Sequence, residues 1–384
     1  MGTAKIMVIF GTRPEAIKMA PVIKELKSRE GKGHIECLVC VTAQHRELLD
    51  QVLHLFLIRP DFDLNLMLPN QDLFQTTSRV LVEVGRVLSE IKPDLVLVHG
   101  DTTTTFGAAL AAYYHQISVG HVEAGLRTLN KYSPFPEEMN RHLAGVISDI
   151  HFAPTERAKR NLIMENVLSE NILVTGNTVI DALLHAVEMI NSSKPKLKSY
   201  ENEFGFLESI LSGNKQMVLV TGHRRENFGD GFKNICSAIA SLAENRGDIE
   251  FVYPVHLNPN VRKDVHRLIG NISNIHLVDP LEYEPFVFLM SRSYIILTDS
   301  GGIQEEAPSL RKPVLVMREV TERPEALEAG TVKLVGTDPD RIIAEVNRLL
   351  DDTNEYRRMS TACNPYGDGL SSKRIADYIE RILQ

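Results

Sequence analysis

Residues 95–98 read Leu-Val-Leu-Val, set between Pro93-Asp94 and His99-Gly100-Asp101. A run this short with no polar face is what a strand buried on both sides of a parallel sheet requires. Parallel neighbours need crossover connections, and these place helices over the sheet. The rest of the chain repeats that unit. A strand at 5–10 ends in Gly11-Thr12-Arg13-Pro14-Glu15 and leads into an amphipathic helix at 16–27. Another at 36–41 precedes a helix opening at Gln44-His45-Arg46. A third, at 118–122, ends in Glu123-Ala124-Gly125. About seven such units reach Thr178, which predicts a right-handed, mostly parallel sheet. The polar stretch 191–203, with Lys194-Pro195-Lys196, reads as a linker. Beyond it the rhythm restarts, with strands expected at 217–221, 251–254 and 294–297. A chain of 384 residues exceeds the size at which one core keeps growing, so two Rossmann-like α/β domains are expected.

Composition narrows the partners. The net charge of −8 argues against nucleic acid or an anionic membrane surface. No apolar run approaches the roughly 18 residues that span a bilayer, and the N-terminal run reads as a strand rather than a signal peptide. A cytoplasmic protein is expected. Cys37 and Cys40 form a C-x-x-C, but inside a strand-like run positions three apart face opposite sides. No second pair completes four ligands, so these thiols read as structural, with no metal and no disulfide. Asp61-Phe62-Asp63 likewise reads as structural. Neither G-x-G-x-x-G nor G-x-x-x-x-G-K occurs, so no dinucleotide cofactor is implied.

In open α/β sheets ligands sit outside the carboxyl ends of the strands, which turns Asp101 and Glu123 toward one crevice. Pro134-Phe135-Pro136 then launches a helix at Glu137, where a carboxylate suits the helix dipole. Arg141, four residues on, falls over Glu137 on the same face. Each carboxylate alone could merely cap or pair locally; as a set they suggest proton transfer. Arg13 and Lys18 bring positive charge to the first loop and helix, as an anion contact or as solvated charge. In the second half, Asp299-Ser300-Gly301-Gly302 enters a helix expected at 303–307, a natural diphosphate cradle. Glu305 and Glu306 could accept ribose hydroxyls or lie in solvent. Phe286, in a Tyr-Glu-Pro-Phe loop, could stack on a base or fill the core. These readings predict a cleft for a nucleotide-linked substrate and leave a transferase, an isomerase and a nucleotide-sugar sensor open.

The segments GTRPEAIKMAP, VHGDTTTT, GHVEAGLRT, PEEMNR, TGNTVIDAL, TGHRREN, PVHLNP, TDSGGIQEEAP and REVTERPEA together resemble the non-hydrolysing UDP-N-acetylglucosamine 2-epimerases, from residue 5 to about residue 370. The resemblance implies a GT-B-like fold of two Rossmann-like domains with the active site in the interdomain cleft. Its N-terminal domain would take 1–178 plus a cross-back helix in 367–384, and its UDP-binding domain 179–366. It implies Asp101, Glu123, Glu137 and His223 as catalytic residues. Arg13, Lys18, Arg141, Phe286, Ser300, Gly301, Gly302, Glu306 and Arg323 would hold the substrate. It implies no cofactor and a homodimer interconverting UDP-GlcNAc and UDP-ManNAc for cell-envelope polysaccharide.

The chemistry explains the residue set. The C2 hydrogen is not acidic, because C1 is an acetal rather than a carbonyl. The family eliminates UDP to a bound 2-acetamidoglucal and adds it back after protonation on the other face of C2. This calls for cations at the diphosphate, carboxylates at the oxocarbenium charge and proton carriers on both faces. A hydrolysing 2-epimerase and a GT-B glycosyltransferase are the competing readings. Some family members also bind a second UDP-GlcNAc as an activator. Gln44, His45, Arg46, Glu226 and His256 match that pocket, while Glu47 and Asn70 depart from it. Loss of a bidentate Arg at Asn70 predicts weak activation.

Overall fold

The computed structural model describes residues 3–31, 35–43, 46–68, 71–222, 224, 227 and 229–383, without the side chains of 259 and 260. Gln44, His45, Asn70, His223 and Glu226 lie outside the described residues. The chain divides into two compact units, Met1–Ala182 with Tyr366–Gln384, and Leu183–Pro365. The first division falls inside the helix Thr178–Ser192, between Ala182 and Leu183.

The first unit is built on β1 (Ala4–Phe10), β2 (Ile35–Val41), β3 (Phe62–Asp63), β4 (Leu95–His99), β5 (Ser118–Val122), β6 (Ile150–Ala153) and β7 (Ile172–Val174). These form a 7-stranded sheet in the order β3-β2-β1-β4-β5-β6-β7, parallel throughout. All five residues of β4 are buried, as its apolar run requires. On one face Met7, Ile9, Val96 and Val98 pack with Val80, Val84 and Leu88, and with Ala108 and Ala112 of the Ala-rich helix Thr103–Tyr114. The small alanines let that helix lie close to the strands. The terminal helix Ser371–Leu383 packs on Arg13–Arg29, where Arg29 donates to Glu25, Asp377 and Glu380.

The second unit carries β8 (Gln216–Thr221), β9 (Ile249–Pro254), β10 (Ile275–Val278), β11 (Ile295–Thr298), β12 (Val314–Val316) and β13 (Val332–Leu334). Its 6-stranded sheet runs β10-β9-β8-β11-β12-β13 and is also parallel. Val218, Val220, Phe251, Leu297 and Leu315 pack with Phe232, Ile235 and Ile239 of the helix Asp230–Asn245 in its core.

Both sheets are doubly wound. Strand order reverses direction between β1 and β4 in one and between β8 and β11 in the other. These two switch points are where such sheets open a crevice at their carboxyl edge.

Two expectations need correction. The stretch 191–203 is not an extended linker: it completes Thr178–Ser192 and forms the helix Lys194–Glu203, capped by Ser193 with Pro195 in its first turn. That helix has no buried residue, so no apolar periodicity betrays it. Phe286 is not in a loop either; it lies half-buried in the first turn of the helix Tyr283–Arg292. Proline fits a first helical turn, because its missing N–H would have no partner there.

Among the described residues no helix is long and apolar enough to cross a membrane. Cys37, Cys40 and Cys236 are buried free thiols, and burial pushes each up to about 12. Of the Asp-Phe-Asp pair, Asp61 accepts from the Val39 N–H at 2.7 Å and Asp63 pairs with Arg46.

Candidate active site

The first switch point is locked by a residue that the motif reading passed over. Thr12 caps the helix Arg13–Arg29, and Glu15 closes a capping box with it. Glu15 accepts from the N–H groups of Gly11 at 3.0 Å and Thr12 at 2.7 Å. It also accepts from Thr102 at 2.7 Å and Thr105 at 3.2 Å. Glu15 thereby ties the loop after β1 to the loop after β4. Burial pushes its carboxyl up, and the hydrogen bonds from Thr102, Gly11 and Thr12 pull the other way. The T-x-x-E spacing of Thr12 and Glu15 is the sequence signal that could have found it. Gly11 must be glycine, since a Cβ there would lie 2.1 Å from Thr42 Oγ1 and 2.5 Å from Thr104 Oγ1. Arg13 stands in the first turn of this helix, half-buried.

Asp101 follows β4 and forms an ion pair with Arg141. Burial pushes its carboxyl up, opposed by Arg141 and reinforced by Glu123. Glu123 follows β5 with φ 64°, a left-handed conformation costly for a residue with a side chain. Lys18 Nζ sits 2.5 Å from Glu123 Oε2, and Asn177 Nδ2 donates to the same oxygen at 2.7 Å. The adjacent parallel strands β4 and β5 thus deliver two carboxylates side by side, each matched to a cation.

Arg141 does not settle over Glu137. Its second partner is Glu138, at 3.2 Å, because the i,i+3 position faces the strand ends beside Asp101. Glu137 opens the helix Glu137–Ile147 and is half-buried. Glu138 is buried and also accepts from the N–H groups of Thr128 at 2.9 Å and Leu129 at 3.0 Å, so it anchors the loop between β5 and this helix. Arg127, in that loop, makes a bidentate pair with Glu165 at 2.7 and 2.6 Å. His142 lies 3.5 Å from Glu138 and 3.2 Å from Glu165.

At the second switch point Ser300 precedes the helix Gly301–Glu306, which begins two residues earlier than expected and passes into a 3-10 turn, Ala307–Leu310. The buried Asp299 accepts from the Arg224 N–H at 2.8 Å and from Asn227 at 3.3 Å. It therefore holds the loop after β8 against the end of β11. Arg323 pairs with Glu305, and Tyr283 donates to Glu306 at 3.3 Å. A Cβ on Gly301 would meet nothing closer than 3.8 Å, and one on Gly302 nothing closer than 3.6 Å. The protein's own packing therefore does not demand glycine at either position.

Of the residues matched to an activator pocket, Arg46 pairs with Asp50 and Asp63 on the surface. His256 is exposed and its Nδ1 accepts from the Asn258 N–H at 3.1 Å. Among the described residues no group of three or more His, Cys, Asp or Glu is placed to hold a metal ion.

A family model described as UDP-N-acetylglucosamine 2-epimerase matches residues 25–380. The chain belongs to the UDP-N-acetylglucosamine 2-epimerase family. It is 57% identical over 376 residues to the UDP-N-acetylglucosamine 2-epimerase of Escherichia coli K12, with 98% of each chain covered. A crystal structure of the Neisseria meningitidis UDP-GlcNAc 2-epimerase bound to UDP-GlcNAc is 54% identical, with a TM-score of 0.87, covering 98% of this chain and 100% of that one. A Staphylococcus aureus protein solved with UDP is 48% identical, with a TM-score of 0.83, covering 99% and 97%. The fold is accordingly GT-B-like, and the chain is a UDP-N-acetylglucosamine 2-epimerase, an isomerase.

Proposed function

We propose that this epimerase interconverts UDP-GlcNAc and UDP-ManNAc by eliminating UDP to a bound 2-acetamidoglucal and adding it back. The observation that carries this reading is the pairing of Asp101 with Arg141 and of Glu123 with Lys18 on adjacent strand ends. Elimination needs a carboxylate near the ring while positive charge receives the departing diphosphate. Arg and Lys held against carboxylates can turn to a diphosphate when it arrives, which supports a mechanism without a bound metal. Asp101, raised by burial, suits a group that both takes and returns a proton. Glu123 would stabilise oxocarbenium charge, with Glu137 and His223 as further proton carriers.

The second unit would hold UDP. Backbone N–H groups at Gly301 and Gly302 would cradle the diphosphate, with the Ser300 hydroxyl beside them because its own N–H donates to Thr298 Oγ1 at 3.0 Å, and the space left by the two glycines suits that approach. Glu306 would accept from the ribose, Phe286 would lie on the uracil, and Arg13 and Arg323 would add charge. Replacing Arg323 by Ala should weaken UDP about 10–100-fold, the usual worth of a charge-assisted hydrogen bond. Calorimetry with UDP alone checks this, and unchanged affinity would move the nucleotide away from Arg323. Product identity tests the reaction itself. Proton NMR of UDP-GlcNAc with enzyme should show UDP-ManNAc growing to a constant ratio, whereas free ManNAc with UDP would establish the hydrolytic reaction.

The protein would act in the cytoplasm and supply ManNAc units for envelope polysaccharide. A homodimer is supported by an apolar stripe, Met139, Leu143 and Val146, exposed along one face of Glu137–Ile147. Val146 is 83% exposed, so Val146→Glu should leave the fold intact and yield monomers in sedimentation velocity. Wild-type protein sedimenting as a monomer would overturn the dimer. Activation by a second UDP-GlcNAc would be weak. UDP-ManNAc alone should turn over with little gain from trace UDP-GlcNAc.

A further inference from the structure

His99 is the last residue of β4, buried directly beneath the carboxylates. Neither of its ring nitrogens has a hydrogen-bond partner among the described residues. A buried polar atom left in that state is costly and calls for an explanation. Nε2 lies 3.9 Å from Glu123 Oε1, too long for a hydrogen bond. Lys18 and Asn177 both direct their donors to the other oxygen, Oε2. The neighbouring His121 is spent elsewhere, its Nε2–H donating to the Gly100 carbonyl at 2.7 Å. Glu123 thus has a cation that the substrate would draw away on one oxygen and an idle imidazole beside the other.

We propose that His99 is a positioning residue for Glu123, donating its Nε2–H to Oε1 when Lys18 turns to the substrate's diphosphate. The inference rests on the reading that Lys18 serves the anion and Glu123 the sugar. No bond is made or broken, and the proton stays on His99. A carboxylate turn that closes about 1 Å brings the pair to ordinary hydrogen-bond length. Burial lowers the His99 pKa to about 4, against the pull of Glu123, so the ring is neutral and keeps one N–H to give. Among the described residues the charged or titratable groups that act on the pair include Lys18 from the helix Arg13–Arg29, Asp101 after β4, and His121 on β5. Arg141 reaches the set through Asp101.

Holding Oε1 favours the ionised carboxylate, so losing the donor raises the Glu123 pKa and moves the acid limb of the rate profile to higher pH. The variants are His99→Gln, whose amide nitrogen reaches the Nε2 position, His99→Asn, whose amide does not, and His99→Leu. Melting curves establish that each is folded. His99→Gln should keep turnover within about threefold and leave the acid limb in place. His99→Leu and His99→Asn should lose about 10–100-fold in kcat with little change in KM, and their acid limbs should move up. If His99→Leu fails to fold, His99→Asn still decides. In a Glu123→Gln background the same substitutions should cost nothing further. Equal losses in His99→Gln and His99→Asn with an unmoved acid limb, or full loss persisting in the Glu123→Gln background, would overturn the proposal. Wild-type protein that forms no UDP-ManNAc would instead overturn the reaction reading.

Discussion

Asp101→Asn should fold, bind UDP with unchanged affinity and lose about 10²–10⁴ in turnover, the usual worth of one positioned acid–base group. The amide keeps the size of the side chain and can still meet Arg141 through its oxygen, so binding and fold are spared. What it cannot do is take and return a proton. Asp101 suits that task because burial raises its carboxyl while Arg141 and Lys18 pull the other way. Equilibrium calorimetry with UDP and a turnover assay on one preparation separate the two effects. Turnover close to wild type would remove Asp101 from the mechanism.

The second large effect lies in the frame behind the site. Arg127→Ala should destabilise the first unit by about 3 kcal/mol in urea unfolding, at the low end for a broken buried pair. The Arg127 side chain is 1% exposed, while Glu165 keeps 29%, so water partly screens the carboxylate left behind. Burial would raise the Glu165 carboxyl, but Arg127 outweighs it and holds the group below its ordinary value. A depressed carboxyl adds stability that is complete above its unfolded pKa and is lost as pH falls through the folded value. The gap between wild type and Arg127→Ala should therefore be full at neutral pH and narrow below the ordinary carboxylate range. A gap that is independent of pH would mean that Arg127 acts through packing alone.

Much of this was legible because the physics is local. A strand buried on both faces must be apolar throughout, so β4 announced itself, and with it the position of Asp101. Glu123 was legible from its place at the end of the next strand, although β5 carries Ser118 and His121 and is not apolar throughout. What escaped depended on contacts distant in the chain. Glu15 looks like an ordinary helix carboxylate until Thr102 and Thr105, nearly ninety residues on, turn out to donate to it. Arg141 could be placed over Glu137 by helical spacing, yet the sheet edge selects Glu138 and Asp101 instead. The helix Lys194–Glu203 hid because it is mostly polar, with Leu197 and Tyr200 only half-buried, leaving composition to suggest a linker. His99 passed for part of a strand, since an unpartnered nitrogen is a property of the fold and not of the sequence.

The central claim is that C2 exchanges its hydrogen with solvent while UDP leaves and returns. Incubating the enzyme with UDP-GlcNAc in D₂O, without added nicotinamide nucleotide, and following C2 by NMR tests it most directly. Deuterium should enter C2 of both UDP-GlcNAc and UDP-ManNAc as they interconvert. UDP-ManNAc forming with its C2 hydrogen fully retained from substrate would contradict the account.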